Sequence, residues 1–199
     1  MREPSLTLVS DRARLVAGDL PGLARAAALA GVDYVQVREK DLSARALRDL
    51  VTAVLAAIAG TATQVLVNSR PDIAVITGAL GVQLPEEGLP PADVKRAFPS
   101  LTVGASCHSL EGARRAEAEG ADFVVLGPIF RTPGKEERAL GPEALASVAR
   151  SLRVPVHAVG GIDARTARAA VEAGARGLLA VRAFLEGPVD VTVRALRGA

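Results

Sequence analysis

One phrase recurs four times along this chain and fixes most of what it can fold into. It reads Ala30-Gly31-Val32-Asp33 before Tyr34-Val35-Gln36-Val37, and Gly78-Ala79-Leu80 before Gly81-Val82-Gln83-Leu84. It returns as Gly120-Ala121-Asp122 before Phe123-Val124-Val125-Leu126, and as Gly174-Ala175-Arg176 before Gly177-Leu178-Leu179-Ala180. Each copy is the end of a helix, a glycine cap, a short link and a buried strand. The glycines stand 47, 42 and 54 residues apart, too long for one strand–helix unit and right for two. A second set of strands is therefore expected between the copies, and the apolar runs Leu6–Ser10, Gln64–Asn68, Leu101–Ser106 and Pro155–Val159 supply it. Alanine-rich segments with early prolines or cap residues separate the runs, such as Ser43–Ala59, Pro71–Thr77 and Pro91–Phe98. Eight strands alternating with helices make a parallel sheet, and the expected fold is an α/β, single-domain (β/α)8 TIM barrel over residues 1–199. An open doubly wound sheet is the competitor, but no GxGxxG follows the first strand.

Composition narrows the function classes. Of 199 residues, 49% are hydrophobic and only 3% aromatic, so the core is built from Val, Leu, Ile and Ala, as sheets buried on both faces prefer. The net charge is +2, without a Lys/Arg block or an aromatic stacking platform, so no nucleic-acid partner is expected. Cys107 is the only cysteine and cannot form an internal disulfide. No run approaches the length of a membrane span, and no apolar signal core opens the chain. A cytoplasmic protein with no membrane partner is expected.

In a barrel of this type the chemistry sits at the C-terminal ends of the strands, and residues before the strands serve stability. Asp33 and Asp122 precede strands and are expected to be structural. The strand ends carry Arg38 and Lys40 after the second strand, Asn68, Ser69 and Arg70 after the third, and Gln83, Glu86 and Glu87 after the fourth. Ser106, Cys107 and His108 follow the fifth, and a long loop with Arg131, Thr132 and Lys135 follows the sixth. Arg182 follows the eighth. A cationic rim with hydroxyls suits a phosphorylated small substrate. Gly160-Gly161 close the seventh strand, and a helix opening at Asp163 would offer its N-terminus to an anion. His157 on the seventh strand and His108 after the fifth are the candidate acid/base groups, and the loop at 128–141 is a candidate lid.

Taken together, the strand-end phrases resemble the thiamine phosphate synthase/TenI family over nearly the whole chain. They are Gln36-Val37-Arg38-Glu39-Lys40, Asn68-Ser69-Arg70, Gly81-Val82-Gln83-Leu84, Gly127-Pro128-Ile129-Phe130 with Thr132 and Lys135, and Gly160-Gly161-Ile162. The resemblance implies a (β/α)8 barrel acting on thiazole phosphate in vitamin B1 synthesis. It puts diphosphate-holding roles on Arg38, Lys40, Asn68, Thr132 and Lys135, and the hydroxyl after the fifth strand on Ser106. Gln36 would face a pyrimidine, and the thiazole-phosphate nest would fall on Gly161, Val181 and Arg182, mainly through backbone N–H groups, with Gly160 of the double-glycine turn beside it in the expected substrate-binding set.

The departures from that pattern divide the functional readings. The synthase pattern carries Mg²⁺-binding aspartates where this chain has Ser69 and Gly88, and usually a histidine where it has Gln83. The TenI branch, some members of which are thiazole tautomerases, carries a histidine where this chain has Pro128. The sequence reading favours a TenI-like protein, tautomerase-type or degenerate, with His157 or His108 as acid/base and no cofactor. Its alternative is a thiamine phosphate synthase, which would need Mg²⁺ and would hold the leaving diphosphate with Arg38, Lys40 and Lys135. A non-catalytic binding or regulatory protein is a further alternative; the sequence does not give the oligomeric state, and a homodimer is one option because dimerisation is common in related proteins.

Overall fold

The computed structural model describes residues 3–15, 18–132 and 136–199. Eight strands close into one parallel barrel in chain order, the first pairing with the last. They are β1 (Ser5–Val9), β2 (Tyr34–Val37), β3 (Gln64–Asn68), β4 (Gly81–Leu84), β5 (Thr102–Cys107), β6 (Phe123–Leu126), β7 (Val156–Val159) and β8 (Gly177–Ala180). Around them run α1 (Leu20–Ala30), α2 (Ala44–Ala57), α3 (Pro71–Thr77), α4 (Pro91–Ala97), α5 (Leu110–Ala118), α6 (Gly141–Ser151), α7 (Ala167–Glu172), α8 (Arg182–Leu185) and α9 (Val189–Arg197). None of these helices is long and apolar enough to cross a membrane.

The recurring phrase has one structural meaning at all four sites. Its glycine adopts a left-handed φ after the helix, 98° at Gly31, and the residue just before the strand donates its N–H to the preceding strand. Those bonds run from Asp33 to Leu6 O, Leu80 to Val65 O, Asp122 to Val103 O and Arg176 to Val156 O. Where that residue is aspartate, its side chain adds a second tie. Asp33 Oδ2 accepts from Leu6 N at 2.7 Å and from Arg197 Nη2 at 2.7 Å. Asp122 Oδ2 accepts from Val103 N at 2.6 Å and from Lys95 Nζ at 2.5 Å. Both aspartates are struts at the N-terminal end of the barrel, far from the strand ends that carry chemistry.

Alternation along each strand sends Leu6, Leu8, Val35, Val65, Val67 and Val124 outward into the layer beneath the helices. A smaller cluster of Val9, Leu66, Phe123, Val125 and Leu179 fills the barrel. Its floor is aromatic: the Phe123 and His157 rings stack with centroids 4.8 Å apart. Two glycines make room for the pair. A Cβ on Gly104 would lie 2.2 Å from the Phe123 ring, and one on Gly177 would lie 2.6 Å from both His157 Cγ and Ser5 Oγ.

Two expectations change. The helix after β7 opens at Ala167 rather than Asp163, because Asp163 Oδ1 takes the N–H groups of Arg165 and Thr166 into a separate turn. The short helix α8 has no counterpart in the sequence reading; its four residues are too few for a periodic signal.

The floor packing is testable. Gly177→Ala drives a methyl group into the His157 ring and is expected to cost about 1–3 kcal/mol by overpacking. A lowered urea midpoint at unchanged m-value is the expected result; an unchanged midpoint would contradict the stack.

Candidate active site at the strand ends

The inward positions nearest the C-terminal rim are Gln36 on β2, Asn68 on β3, Gln83 on β4 and Ser106 on β5. Strand alternation places these four polar side chains on one wall of the mouth. Gln36 and Gln83 are almost fully buried, at 2% and 5% exposure. Gln83 Nε2 donates to Ser106 Oγ at 3.1 Å, while Gln83 Oε1 and Gln36 Nε2 are buried without a hydrogen-bond partner. Asn68 Nδ2 donates to Ser69 Oγ at 2.7 Å, and Ser69 stands at φ 62°, left-handed without being glycine.

Beside this wall the ends of β1 and β2 are locked together. Glu39 is buried; it accepts from the Ser10 hydroxyl and from Arg12 N at 3.1 Å. Ser10 Oγ in turn accepts the Arg38 N–H at 2.9 Å. The lock leaves Arg38 half-buried and Lys40 exposed over a cleft of about 370 Å³ that Asp11, Arg12 and Asp41 also line. Among the described residues neither Arg38 nor Lys40 pairs with a carboxylate, whereas Arg12 pairs with Asp41.

Not every rim cation of the sequence reading is available in this way. Arg70 is engaged by Asp72 at 2.5 Å, an ion pair that raises the arginine pKa and lowers that of the aspartate. Arg182 reaches Glu186 at 4.0 Å. Arg131 is exposed, and Thr132 turns its hydroxyl back to Phe130 O at 3.2 Å. Lys135, a sequence candidate for holding diphosphate, lies outside the described residues, as do Pro133 and Gly134 of the candidate lid.

Across the mouth, β7 ends in Gly160 and Gly161 at φ 91° and 64°. The loop after β6 lies on them: Ile129 and Phe130 donate N–H groups to Val159 O and Gly160 O. A Cβ on Gly160 would meet Pro128 at 2.4 Å, and one on Gly161 would meet Arg131 O and Phe130 Cβ at 2.8 Å. The glycines are thus demanded by packing as well as by conformation. Thr166 Oγ1 donates to Gly161 O at 2.7 Å and holds the turn. No hydrogen bond from the N–H groups of Gly160, Gly161, Val181 or Arg182 is found among the described residues, so the ends of β7 and β8 present unpaired donors.

The two histidine candidates part company. His157 is the second residue of β7, stacked on the first residue of β6 and packed on the first of β8, so it belongs to the floor at the opposite end from the mouth. Its assignment as catalytic acid/base is corrected: burial pushes its pKa down to about 4. The sequence identified the strand but not the depth of the ring within the barrel. His108 is at the rim, its side chain 63% exposed; its Nδ1–H donates to Gly127 O, and Nε2 is 3.9 Å from Glu86 Oε2. Cys107 points outward beneath the helices, where burial pushes its thiol up to about 12.

The carboxylates near the mouth do not converge. Glu86 folds toward α5: a Cβ on Gly112 would lie 2.2 Å from Glu86 Oε1. Among the described residues, no group of three His, Cys, Asp or Glu side chains is placed to hold a metal ion. Ser69 and Gly88, at the positions of the expected Mg²⁺ ligands, offer a neutral hydroxyl and no side chain. The residues present do not fit the metal that the resemblance implies.

Comparison with known proteins agrees with this picture of the barrel. Residues 6–184 match a family model described as thiamine monophosphate synthase. A putative thiamine-phosphate synthase 2 of Aquifex aeolicus is 43% identical over 157 residues, covering 78% of this chain and 84% of that protein. A thiamine-phosphate synthase of Thermus thermophilus is 39% identical over 170 residues, 84% of this chain and 82% of the other. Among solved structures, a thiamine phosphate pyrophosphorylase from Pyrococcus furiosus superposes with a TM-score of 0.89 at 31% identity, covering 98% of this chain and 94% of that one.

The placement of His157 carries its own test. The folded ring titrates near 4 and an unfolded one near about 6.5, so protonation favours unfolding. Its contribution to stability is complete above pH 6.5 and is lost as pH falls toward 4, on the order of 3 kcal/mol by pH 4. The difference in urea midpoints between wild type and His157→Leu should therefore change with pH across that window, while the variant keeps wild-type turnover. Parallel pH profiles, or lost turnover in a stable variant, would restore His157 to the chemistry.

Proposed function

The chain belongs to the thiamine monophosphate synthase family, and from that premise we propose that it is a thiamine-phosphate synthase, a transferase that joins a pyrimidine diphosphate to thiazole phosphate and releases diphosphate. It works in thiamine biosynthesis, as its curated relatives are named to do. The observation that carries the specific activity is the pair of orphaned amide atoms, Gln36 Nε2 and Gln83 Oε1, buried in the mouth wall. One is a donor and the other an acceptor. A ring edge presenting an acceptor beside a donor, as an aminopyrimidine does, satisfies both. Arg38 and Lys40 stand on the β2 side of that wall and the glycine turn lies at β7 and β8, so each of two phosphorylated substrates has a separate anchor.

The chemistry asks little of the protein in proton transfer. The carbon–oxygen bond to diphosphate breaks and its electron pair leaves with the diphosphate. The lone pair of the thiazole nitrogen then forms the new carbon–nitrogen bond. No proton is exchanged, so the chain needs only to orient two rings, exclude water and stabilise the leaving charge with Arg38 and Lys40. An inward wall of neutral amides and a hydroxyl, Gln36, Asn68, Gln83 and Ser106, is suited to this step. It is less suited to a tautomerase, which needs a general acid/base near neutral pKa where the ring binds.

A TenI-like role is the second reading, and the observation that favours it is the absence of carboxylate side chains at Ser69 and Gly88. His108, at the rim, is the acid/base that this reading has left.

Incubating the protein with pyrimidine diphosphate and thiazole phosphate, with and without Mg²⁺, and assaying thiamine phosphate separates the two. Product is expected. Gln36→Ala should lower kcat/KM for the pyrimidine substrate by on the order of tenfold or more. No product under either condition, together with turnover of a thiazole tautomer, would replace the synthase reading with the TenI-like one.

A further inference from the structure

We propose that the mouth of this barrel binds diphosphate on protein cations and hydrogen-bond donors alone, with no divalent cation held by the chain. The proposal builds on the site described above and concerns how its anion end works.

The first support is the turn after β4. Gly88 N donates to Pro85 O at 2.9 Å, closing a tight turn with the proline ring against the Gly88 Cα. A Cβ at position 88 would lie 2.8 and 2.9 Å from Pro85 Cδ and Cγ and 3.0 Å from Pro85 O. The position does more than lack a carboxylate: its turn is packed so that a side chain there forces the proline to move.

The second support is Ser69. It keeps a left-handed φ of 62°, a conformation that asparagine and aspartate tolerate better than serine. Its Oγ accepts from Asn68 Nδ2, which leaves it one lone pair, its own proton and no negative charge. A metal needs a lone pair and negative charge at this point. A neutral hydroxyl is a weaker partner for Mg²⁺ than a carboxylate, and its O–H can donate to an anion.

The carboxylates that share the cleft are paired elsewhere, Asp11 with Arg14 and Asp41 with Arg12. Glu86 is only 18% exposed and lies against the first turn of α5, facing His108 rather than the barrel axis. Glu39 is consumed by Ser10 and Arg12. Beside Ser69 stands the Asn68 amide, and on the neighbouring strand end are Arg38 and Lys40, with the Arg38 backbone held by the Ser10–Glu39 lock. Guanidinium and ammonium groups carried on a held strand end complement a diphosphate without a bridging metal.

Inorganic pyrophosphate titrated calorimetrically into the full chain, once in EDTA and once in Mg²⁺, tests this directly. Pyrophosphate is expected to bind in EDTA at least as tightly as in Mg²⁺, because the metal competes for the ligand in solution. Affinity that falls by about tenfold or more in EDTA, or no binding in either buffer, overturns the proposal. Ser69→Asp supplies a second reading without touching the packed turn. The carboxylate should weaken pyrophosphate binding in EDTA by about tenfold or more, and Mg²⁺ should restore it. Unchanged affinity in that variant would mean that Ser69 does not face the anion, and the proposal falls. The outcome is separable from the synthase reading. Thiamine phosphate formed only in Mg²⁺, with metal-dependent pyrophosphate binding, leaves the synthase and removes this inference. Metal-free pyrophosphate binding without product does the reverse.

Discussion

Closure of the parallel sheet is the constraint on which everything else here depends. Strands of four to six residues bury both faces only if the sheet has no edge, so β8 must return to β1. Once it does, every strand residue points either to the helices or to the axis, and all eight strands end on one rim. That geometry turns a sequence position into a spatial one. Gln36, Asn68, Gln83 and Ser106 share a wall because each is an inward residue close to the end of its own strand. No local feature of any single loop brings them together.

The same geometry explains how the barrel keeps stability and chemistry apart. Before the strands, Asp33 and Asp122 each tie two backbone or cationic donors, and Glu117 does the same for Arg153 N and Val154 N. Those N–H bonds hold Glu117 below the usual carboxylate range. Inside the barrel, the floor is sealed by an aromatic pair that two glycines admit. A histidine serves there as a flat, neutral packing element, and its chemistry is suppressed by the burial that makes it useful.

Much of this was legible in the sequence because the signals were local and repeated. The four glycine-capped phrases gave strand number, connection type and the distinction between structural and rim aspartates. The rim set of Gln36, Arg38, Lys40, Asn68, Gln83 and Ser106 followed from strand order. What stayed hidden were tertiary properties. The depth of His157 depends on strand tilt and register with β6 and β8, which no pattern along β7 encodes. Asp163 reads as a helix cap because aspartate before an apolar helix usually is one, yet its carboxylate closes a turn and delays the helix to Ala167. Arg70 reads as a rim cation until Asp72, two residues on, is seen to hold it. The direction of Glu86 and the packing of Pro85 on Gly88 are what the proposal of metal-free diphosphate binding rests on, and both are contacts rather than letters.

The distribution of unsatisfied groups is itself an argument for a ligand. A buried donor or acceptor without a partner costs about 1–3 kcal/mol, and stable folds keep such atoms few. At the N-terminal end, the polar groups described here find partners. At the C-terminal rim, Gln36 Nε2, Gln83 Oε1 and the N–H groups at the ends of β7 and β8 do not. The asymmetry follows the barrel axis. A chain that can satisfy polar groups at one end and leaves them open at the other tolerates that cost where something else will satisfy them. The open groups at the rim are donors at the ends of β7 and β8 and a donor–acceptor pair in the wall. That pattern calls for an anion on one side and a planar heteroaromatic edge on the other. The two phosphorylated rings of the proposed reaction would meet that requirement, and water would meet it only in part.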